Sequence, residues 1–379
     1  MGERSGEWKI SMIGGAEYES FVPSILPPDP TINIDKNILE LLITAHSQLT
    51  LLDGLIIRSS DINPFASLLV CKDAILSSRI EGKKASVEDV FYSISKNRTN
   101  QNVIEIINCI KATEFAIRQL KQVPLNNQLI KEIYTVLNGD GFPKETVSKF
   151  RDSQIWVGDT INNALYIPPN PDDVENSMYA FNLYFQNGYI LSNFDVLIQA
   201  ALLYYQFASI MPFSKDNGKI NRIITTLLLI QEKILSAPVL CLSDYIEKNR
   251  TDIWHSMERV RQQDNYEQWI MLFLEAIYES AKHTIKMLDK LIIMREKNIK
   301  AVKNMGRSSK TAMLLFQYLE KNPVLEISQA ADALNLSFNA VSDMVNRFVR
   351  TGIIMKISGE KRNRIYAYKN HLDVLQDRM

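Results

Sequence analysis

Along most of the chain, apolar residues recur at three- and four-residue intervals, the mark of helices that bury one face. The pattern predicts helices over about 35–55, 63–81, 102–122, 127–137, 172–187, 193–210, 220–233, 243–263 and 266–304. Asn63 and Pro64 suit the start of the second of these, and Gly82 its stop. Residues 196–205 and 223–230 are apolar on nearly every face, so both must be buried. Polar Gln199, Gln206 and Ser209 interrupt the apolar stretch 196–213, which reads as a buried helix and not a membrane span. Prolines at 23, 27, 28 and 30 keep residues 22–30 extended across the surface. One segment departs from the helical rule. Residues 150–168 hold two short β-favouring runs, Ile155-Trp156-Val157 and Ala164-Leu165-Tyr166-Ile167, around turn-forming Gly158-Asp159 and Asn162-Asn163, which predicts a hairpin.

A small, polar, basic stretch at 303–310 reads as a linker. Beyond it the pattern predicts helices over 311–320 and 327–334 and a third capped by Ser337. The third places Val341, Met344, Val345, Phe348 and Val349 on one stripe. Strand-like runs at 353–357 and 364–368 then flank a polar tip. Three helices and a basic-tipped hairpin resemble a winged helix-turn-helix domain, whose third helix enters the DNA major groove. That resemblance assigns Asn339, Ser342 and Asn346 to bases, and Lys361, Arg362 and Arg364 to phosphate, with Arg347 and Arg350 also on the third helix. A unit used only for protein contacts or dimerisation is the alternative.

The chain of 379 residues carries 43 Lys/Arg and 43 Asp/Glu. No overall field selects nucleic acid or an anionic membrane. The balance is uneven along the chain, however: residues 305–379 hold 11 basic and 7 acidic residues. Three scattered cysteines and no C-x-x-C pair exclude a disulfide framework and point to a reducing cytoplasm. Four dispersed histidines argue against a histidine metal site, and residues 1–15 lack the apolar core of a signal peptide.

Between the two buried helices sits Met211-Pro212-Phe213-Ser214-Lys215-Asp216-Asn217-Gly218-Lys219-Ile220-Asn221-Arg222. A charged, glycine-containing turn leading into a helix N-terminus is an anion site by geometry and dipole, with Lys219 and Arg222 adding charge; a solvated turn is the alternative. This segment resembles the core motif of Fic proteins, H-P-F-x-(D/E)-G-N-G-R-x-x-R, with Pro212, Phe213, Asn217, Gly218 and Arg222 in register. Ser77, Glu81 and Gly82 match the family's inhibitory motif (S/T)-x-x-x-E-(G/N). Phe150-Arg151 with Ile155, Trp156, Val157 and Gly158 resembles the hairpin flap that aligns target segments. Residues 166–169 and 242–250 are similar to other recurring stretches.

The resemblance implies a mainly α fold: a helical Fic fold with a small β-hairpin flap, then the C-terminal winged helix-turn-helix. It divides the chain into an N-terminal region with the inhibitory motif (1–100), a Fic core (101–304) and the winged helix (305–379). It implies AMP transfer from ATP to a Ser, Thr or Tyr hydroxyl of a protein target, a peptide held at the flap, and a homodimer as in relatives of this layout. In such proteins the motif histidine is the general base, the acidic residue holds Mg2+, and the loop, asparagine and second arginine hold phosphates. Asn217, Gly218, Lys219 and Arg222 take the phosphate roles here, and Glu81 is implied to reach Arg222. Four positions depart from the pattern: Asp216 replaces the first glycine and, one place from the metal position, is the candidate substitute ligand; Lys219 replaces the first arginine; and two more bear directly on the chemistry. Met211 stands where the histidine belongs, and a thioether accepts no proton at physiological pH. Lys215 stands where the metal-holding acid belongs, and it repels Mg2+. Two readings remain: a degenerate Fic protein that retains nucleotide, phosphate or peptide binding, or a transferase with unusual chemistry. DNA-binding regulation through the C-terminal unit is a third.

Overall fold

The protein is described by a computed structural model covering residues 4–13, 15–58, 63–96, 101–139, 149–357, 364–377 and 379. It opens on an antiparallel ribbon, β1 (Gly6–Ile13) and β2 (Ala16–Pro23), in register from Gly6 opposite Pro23 to Ile13 opposite Ala16. The helical pattern predicts no such element. Its cross-strand core is the Trp8–Phe21 pair, with ring centroids 5.1 Å apart. After the extended proline segment come α1 (Lys36–Arg58), α2 (Asn63–Ile80), α3 (Val87–Lys96), α4 (Gln101–Leu120) and α5 (Asn127–Leu137). Helix α3 is also unanticipated. A reciprocal cap starts it: the Ser86 N–H donates to Asp89 at 2.9 Å, and the Asp89 N–H to Ser86 Oγ at 3.0 Å.

The body continues with α6 (Pro171–Ser192), α7 (Val196–Ile210), α8 (Asn217–Gln231), α9 (Leu242–Lys248), α10 (Arg250–Gln263) and α11 (Tyr266–Lys303). The apolar helices α7 and α8 are buried almost throughout, as their composition requires. Trp269 on α11 donates its indole N–H to the Ala201 carbonyl of α7 at 2.7 Å, pinning the long helix to this centre. The single helix predicted over 243–263 is two helices. Asn249 closes α9 by donating its backbone and side-chain N–H groups to the Tyr245 carbonyl, at 3.0 and 2.9 Å, and α10 starts afresh. Helix α1 packs along α11 and leaves Leu39, Ile43, Leu51 and Ile57 exposed. Among the described residues, its span 36–57 alone is long and apolar enough to cross a membrane.

The C-terminal unit consists of α12 (Ser309–Lys321), β3 (Val324–Glu326), α13 (Ile327–Leu334), α14 (Phe338–Arg350), β4 (Met355–Lys356), β5 (Ile365–Ala367) and α15 (Lys369–Gln376). The three strands form one antiparallel sheet in the order β3-β5-β4. Val341, Met344, Val345 and Phe348 form the buried stripe of α14, whereas Val349 falls off it and is 40% exposed. Asn339, Asn346, Arg347, Arg350 and Arg364 are exposed and Ser342 is half-buried. Lys361 and Arg362 lie outside the described residues.

This unit does not hang free. It packs on α2 and α3 as well as on α11. Lys369 pairs with Glu88 of α3 at 2.9 Å, and buried Lys72 of α2 donates to the Asp377 carbonyl at 2.6 Å. The same ammonium lies 3.2 Å from buried Asp244.

Candidate functional site

The site is the loop between α7 and α8. Met211 ends α7 in the left-handed conformation, with φ +47°. Phe213 is then driven inward and stacks on Tyr134 of α5, centroids 3.9 Å apart. Asn217 staples the loop. Its carboxamide accepts the Phe213 N–H at 2.9 Å and donates to the Phe213 carbonyl at 2.7 Å. The motif asparagine thus shapes the loop while also lining the cleft.

Arg151 fixes the other side. It is buried, and its Nε donates to the Met211 carbonyl at 2.9 Å while its backbone N–H donates to Pro212 at 2.8 Å. Its guanidinium also donates to the Pro169 carbonyl. Burial lowers its pKa to about 10, which leaves it charged at neutral pH. One arginine thus joins both ends of the flap to the motif loop.

The flap itself is less regular than the predicted hairpin. Among the described residues its ladder is one antiparallel bridge, in which the Val157 N–H donates to the Tyr166 carbonyl at 2.8 Å and the Leu165 N–H donates to the Val157 carbonyl at 2.7 Å. Gly158, at φ +128°, turns the chain away, and Ile161–Asn163 coil into a 3-10 turn. The Phe21 N–H of β2 donates to the Ile167 carbonyl at 2.9 Å, so the N-terminal ribbon lies beside the flap. Trp156 is 37% exposed at the cleft edge.

The structure brings Ser77, Glu81, Gly218, Lys219 and Arg222 together. Arg222 is buried and donates to the Ser77 hydroxyl from Nε at 2.8 Å and from Nη2 at 2.6 Å, and to the Ser77 carbonyl at 3.2 Å. Glu81 Oε1 lies 3.6 Å from Arg222 Nη2, and Glu81 Oε2 lies 3.2 Å from Lys219 Nζ. Gly82, at φ +83°, turns the chain at the end of α2 just beyond Glu81. Gly218 makes room for the pair. A Cβ there would sit 3.1 Å from Arg222 Nη1 and 3.3 Å from Glu81 Oε1.

Asp216 is the second acidic member. It occupies a left-handed position, φ +59°, which aspartate tolerates better than most residues. Its Oδ1 contacts Lys219 at 2.6 Å and its Oδ2 lies 3.7 Å from Lys215. Burial pushes the Glu81 carboxyl above its ordinary value against the pull of Arg222 and Lys219. Burial also acts to raise Asp216, but the charge and hydrogen bond of Lys219 outweigh it and hold that carboxyl low. Burial opposes the Lys219 charge, yet Glu81 and Asp216 raise its pKa.

These residues do not fit Mg2+. Lys215 replaces the ligand, and both Asp216 oxygens face lysines. Among the described residues, no group of three His, Cys, Asp or Glu side chains gathers to hold a metal. No histidine is near the motif in sequence, and His255, which only the fold could bring to it, is exposed and pairs with Glu258 at 3.3 Å, outside the cleft.

The cleft in front of the loop encloses about 490 Å3. One face of α10 lines it with Arg250, the last residue of the recurring stretch 242–250, and with Trp254, Met257 and Arg261, which the sequence motifs do not include. Their spacing of four, three and four residues is a helical face and was the available signal. Arg261 is buried, with its guanidinium 4.2 Å from the Tyr166 ring centroid and 5.5 Å from that of Trp254.

Comparisons with known proteins agree with this geometry. The Fic/DOC family N-terminal model matches residues 39–118, and the Fic/DOC family model matches residues 123–229. A protein adenylyltransferase Fic of Nematostella vectensis is 32% identical over 106 residues, covering 27% of this chain and 22% of its own. The match thus spans about a fifth of that relative. A Fic family protein from Desulfovibrio desulfuricans superposes with a TM-score of 0.58 at 16% identity, covering 89% of this chain and 97% of its own. Fic-1 from C. elegans gives 0.51 at 15% identity, covering 66% and 73%. At such identities the structural likeness speaks for the fold alone. The two adjoining family matches, the shared helical fold and the clustered motif residues show that this chain carries a Fic domain.

Proposed function

We propose that this protein is a Fic-family relative of the adenylyltransferases that has lost efficient AMP transfer and keeps its cleft for binding a nucleotide. The flap, with Ile155, Trp156 and Val157, is the surface for a peptide of a target protein. One observation carries the reading: among the described residues, no cleft side chain is placed to take a hydroxyl proton. Met211 has no basic atom, and the two carboxylates lining the cleft, Glu81 and Asp216, are each bound to a buried cation. Trp254 and Trp156 offer aromatic surface to a base, and Lys215, Arg250 and Arg261 offer charge to phosphates. A reducing cytoplasm is part of the reading, supported by three free, buried cysteines.

Calorimetry with ATP is expected to show binding, while α-labelled ATP transfers no label to the protein or to an added lysate. Label transfer by the wild-type chain, lost on Arg222→Ala, overturns the proposal in favour of an active transferase.

A second reading concerns the C-terminal unit, where exposed Asn339, Asn346, Arg347 and Arg350 share the outer side of α14. That is the arrangement of a helix that reads a DNA groove. If it binds DNA, replacing Arg347 and Arg350 with glutamate is expected to weaken binding to duplex DNA in a mobility-shift assay. It should also flatten the salt dependence by about two ion contacts. Equal affinity for both proteins would assign the unit to protein contacts.

A further inference from the structure

The misfit with Mg2+ bears on the form of the ligand. We propose that the cleft binds its nucleotide as the metal-free anion, with Lys215 standing in place of the divalent cation. This rests on the nucleotide-binding reading above and adds a requirement that reading does not contain.

Four cationic residues line the cleft, Lys215, Arg222, Arg250 and Arg261, against the two carboxylates Glu81 and Asp216. The carboxylates are already neutralised. Asp216 Oδ1 lies 2.6 Å from Lys219, and Glu81 lies 3.2 Å from Lys219 and 3.6 Å from Arg222. Lys219 is buried, its side chain only 2% exposed, so a carboxylate that turns to a metal gives up its contact with a buried ammonium. Lys215 differs. It lies 3.7 Å from Asp216 Oδ2, but its side chain is 48% exposed and lines the cleft, so an incoming phosphate can reach its ammonium without burying or displacing it. Arg250 is likewise exposed at the cleft. A polyphosphate that arrives as a Mg2+ complex brings much of its charge neutralised and sets a divalent cation against Lys215. The free anion meets the lysine directly. The protein therefore gains more from the uncomplexed form.

The test is titration calorimetry of the full chain with ATP, once in EDTA and once in excess Mg2+, at matched ionic strength. Binding in EDTA is expected to be about tenfold tighter than in Mg2+. Lys215→Ala should weaken binding in EDTA by roughly tenfold and remove most of the difference between the two conditions. Lys215→Asp should reverse the preference. Tighter binding of the Mg2+ complex by the wild-type chain overturns this inference and leaves the nucleotide reading standing. Absence of binding in both conditions overturns both. Equal affinity in the two conditions, unchanged by Lys215→Ala, also overturns the inference, because it removes Lys215 from the site.

Discussion

Replacing Arg222 with alanine is expected to destabilise the protein by about 3–5 kcal/mol, the largest effect of any single change in the cleft. The guanidinium is buried and holds three hydrogen bonds to Ser77 together with the Glu81 carboxylate. Its removal leaves the Ser77 hydroxyl and carbonyl without these donors and the Glu81 carboxylate with Lys219 alone. Desolvation of unmatched groups, more than the lost attraction, sets the cost. The measurement is the midpoint of denaturant unfolding at constant m value. A double change, Arg222→Met with Glu81→Gln, should recover a substantial part of the loss, because it removes both charges and keeps the volume. A midpoint for Arg222→Ala within experimental error of wild type would mean that the clamp contributes no stability.

Restoring the base and metal positions together is expected to create AMP transfer where neither change alone does. A general base is worth about 10²–10⁴ in rate, and a bound metal adds charge stabilisation at the phosphates. The backbone is ready for the first change. Met211 sits at φ +47°, ψ +64°, a region in which histidine is enriched among residues other than glycine. The second change, Lys215→Asp, removes the repulsion and supplies an acid beside Asp216. Glu81 must also go, because it lies 3.6 Å from the Arg222 guanidinium. The assay is therefore α-labelled ATP with Met211→His and Lys215→Asp in a Glu81→Gly background. Label in that protein, with at least about 10² less in each protein lacking one of the two restorations, identifies a decayed transferase. Transfer by Met211→His and Glu81→Gly alone would show that Lys215 is no obstacle.

The helical body was legible because its strongest signal is local. Helices α7 and α8 are apolar all round, and no soluble packing other than burial accepts them. The contact among Ser77, Glu81 and Arg222 was legible only through the order of motifs, since 145 residues separate Ser77 from Arg222. Other features depended on partners distant in the chain. Trp8, Ile10 and Met12 alternate with Lys9 and Ser11, a period-two pattern too short to outweigh the surrounding charges. Phe21, its neighbour across the ribbon, turns that pattern into β1 and β2. The flap's residues favour strands, but one glycine at positive φ and a 3-10 turn reduce the ladder to a bridge. The cleft face of α10 has helical spacing and, beyond Arg250, no motif, so its arginines gain meaning only opposite Lys215. The direction of Asp216 was likewise invisible, because Lys219 decides it.

The grip of the C-terminal unit on α2 has a consequence for how changes propagate through the molecule. Lys72 and Asp73 are neighbours on α2, one turn before Ser77. Lys72 holds the Asp377 carbonyl, while Asp73 accepts the Ser243 N–H at 3.0 Å. The helix that presents Ser77 and Glu81 to Arg222 is thus braced from behind by the last residues of the chain. Cutting the chain at 304 would expose the flank of α2 and leave the Lys72 ammonium with Asp244 but without the Asp377 carbonyl, so it would not simply remove an appendage. Lesions in 369–377 should therefore sort phenotypically with lesions in 72–81, although the two segments lie at opposite ends of the sequence.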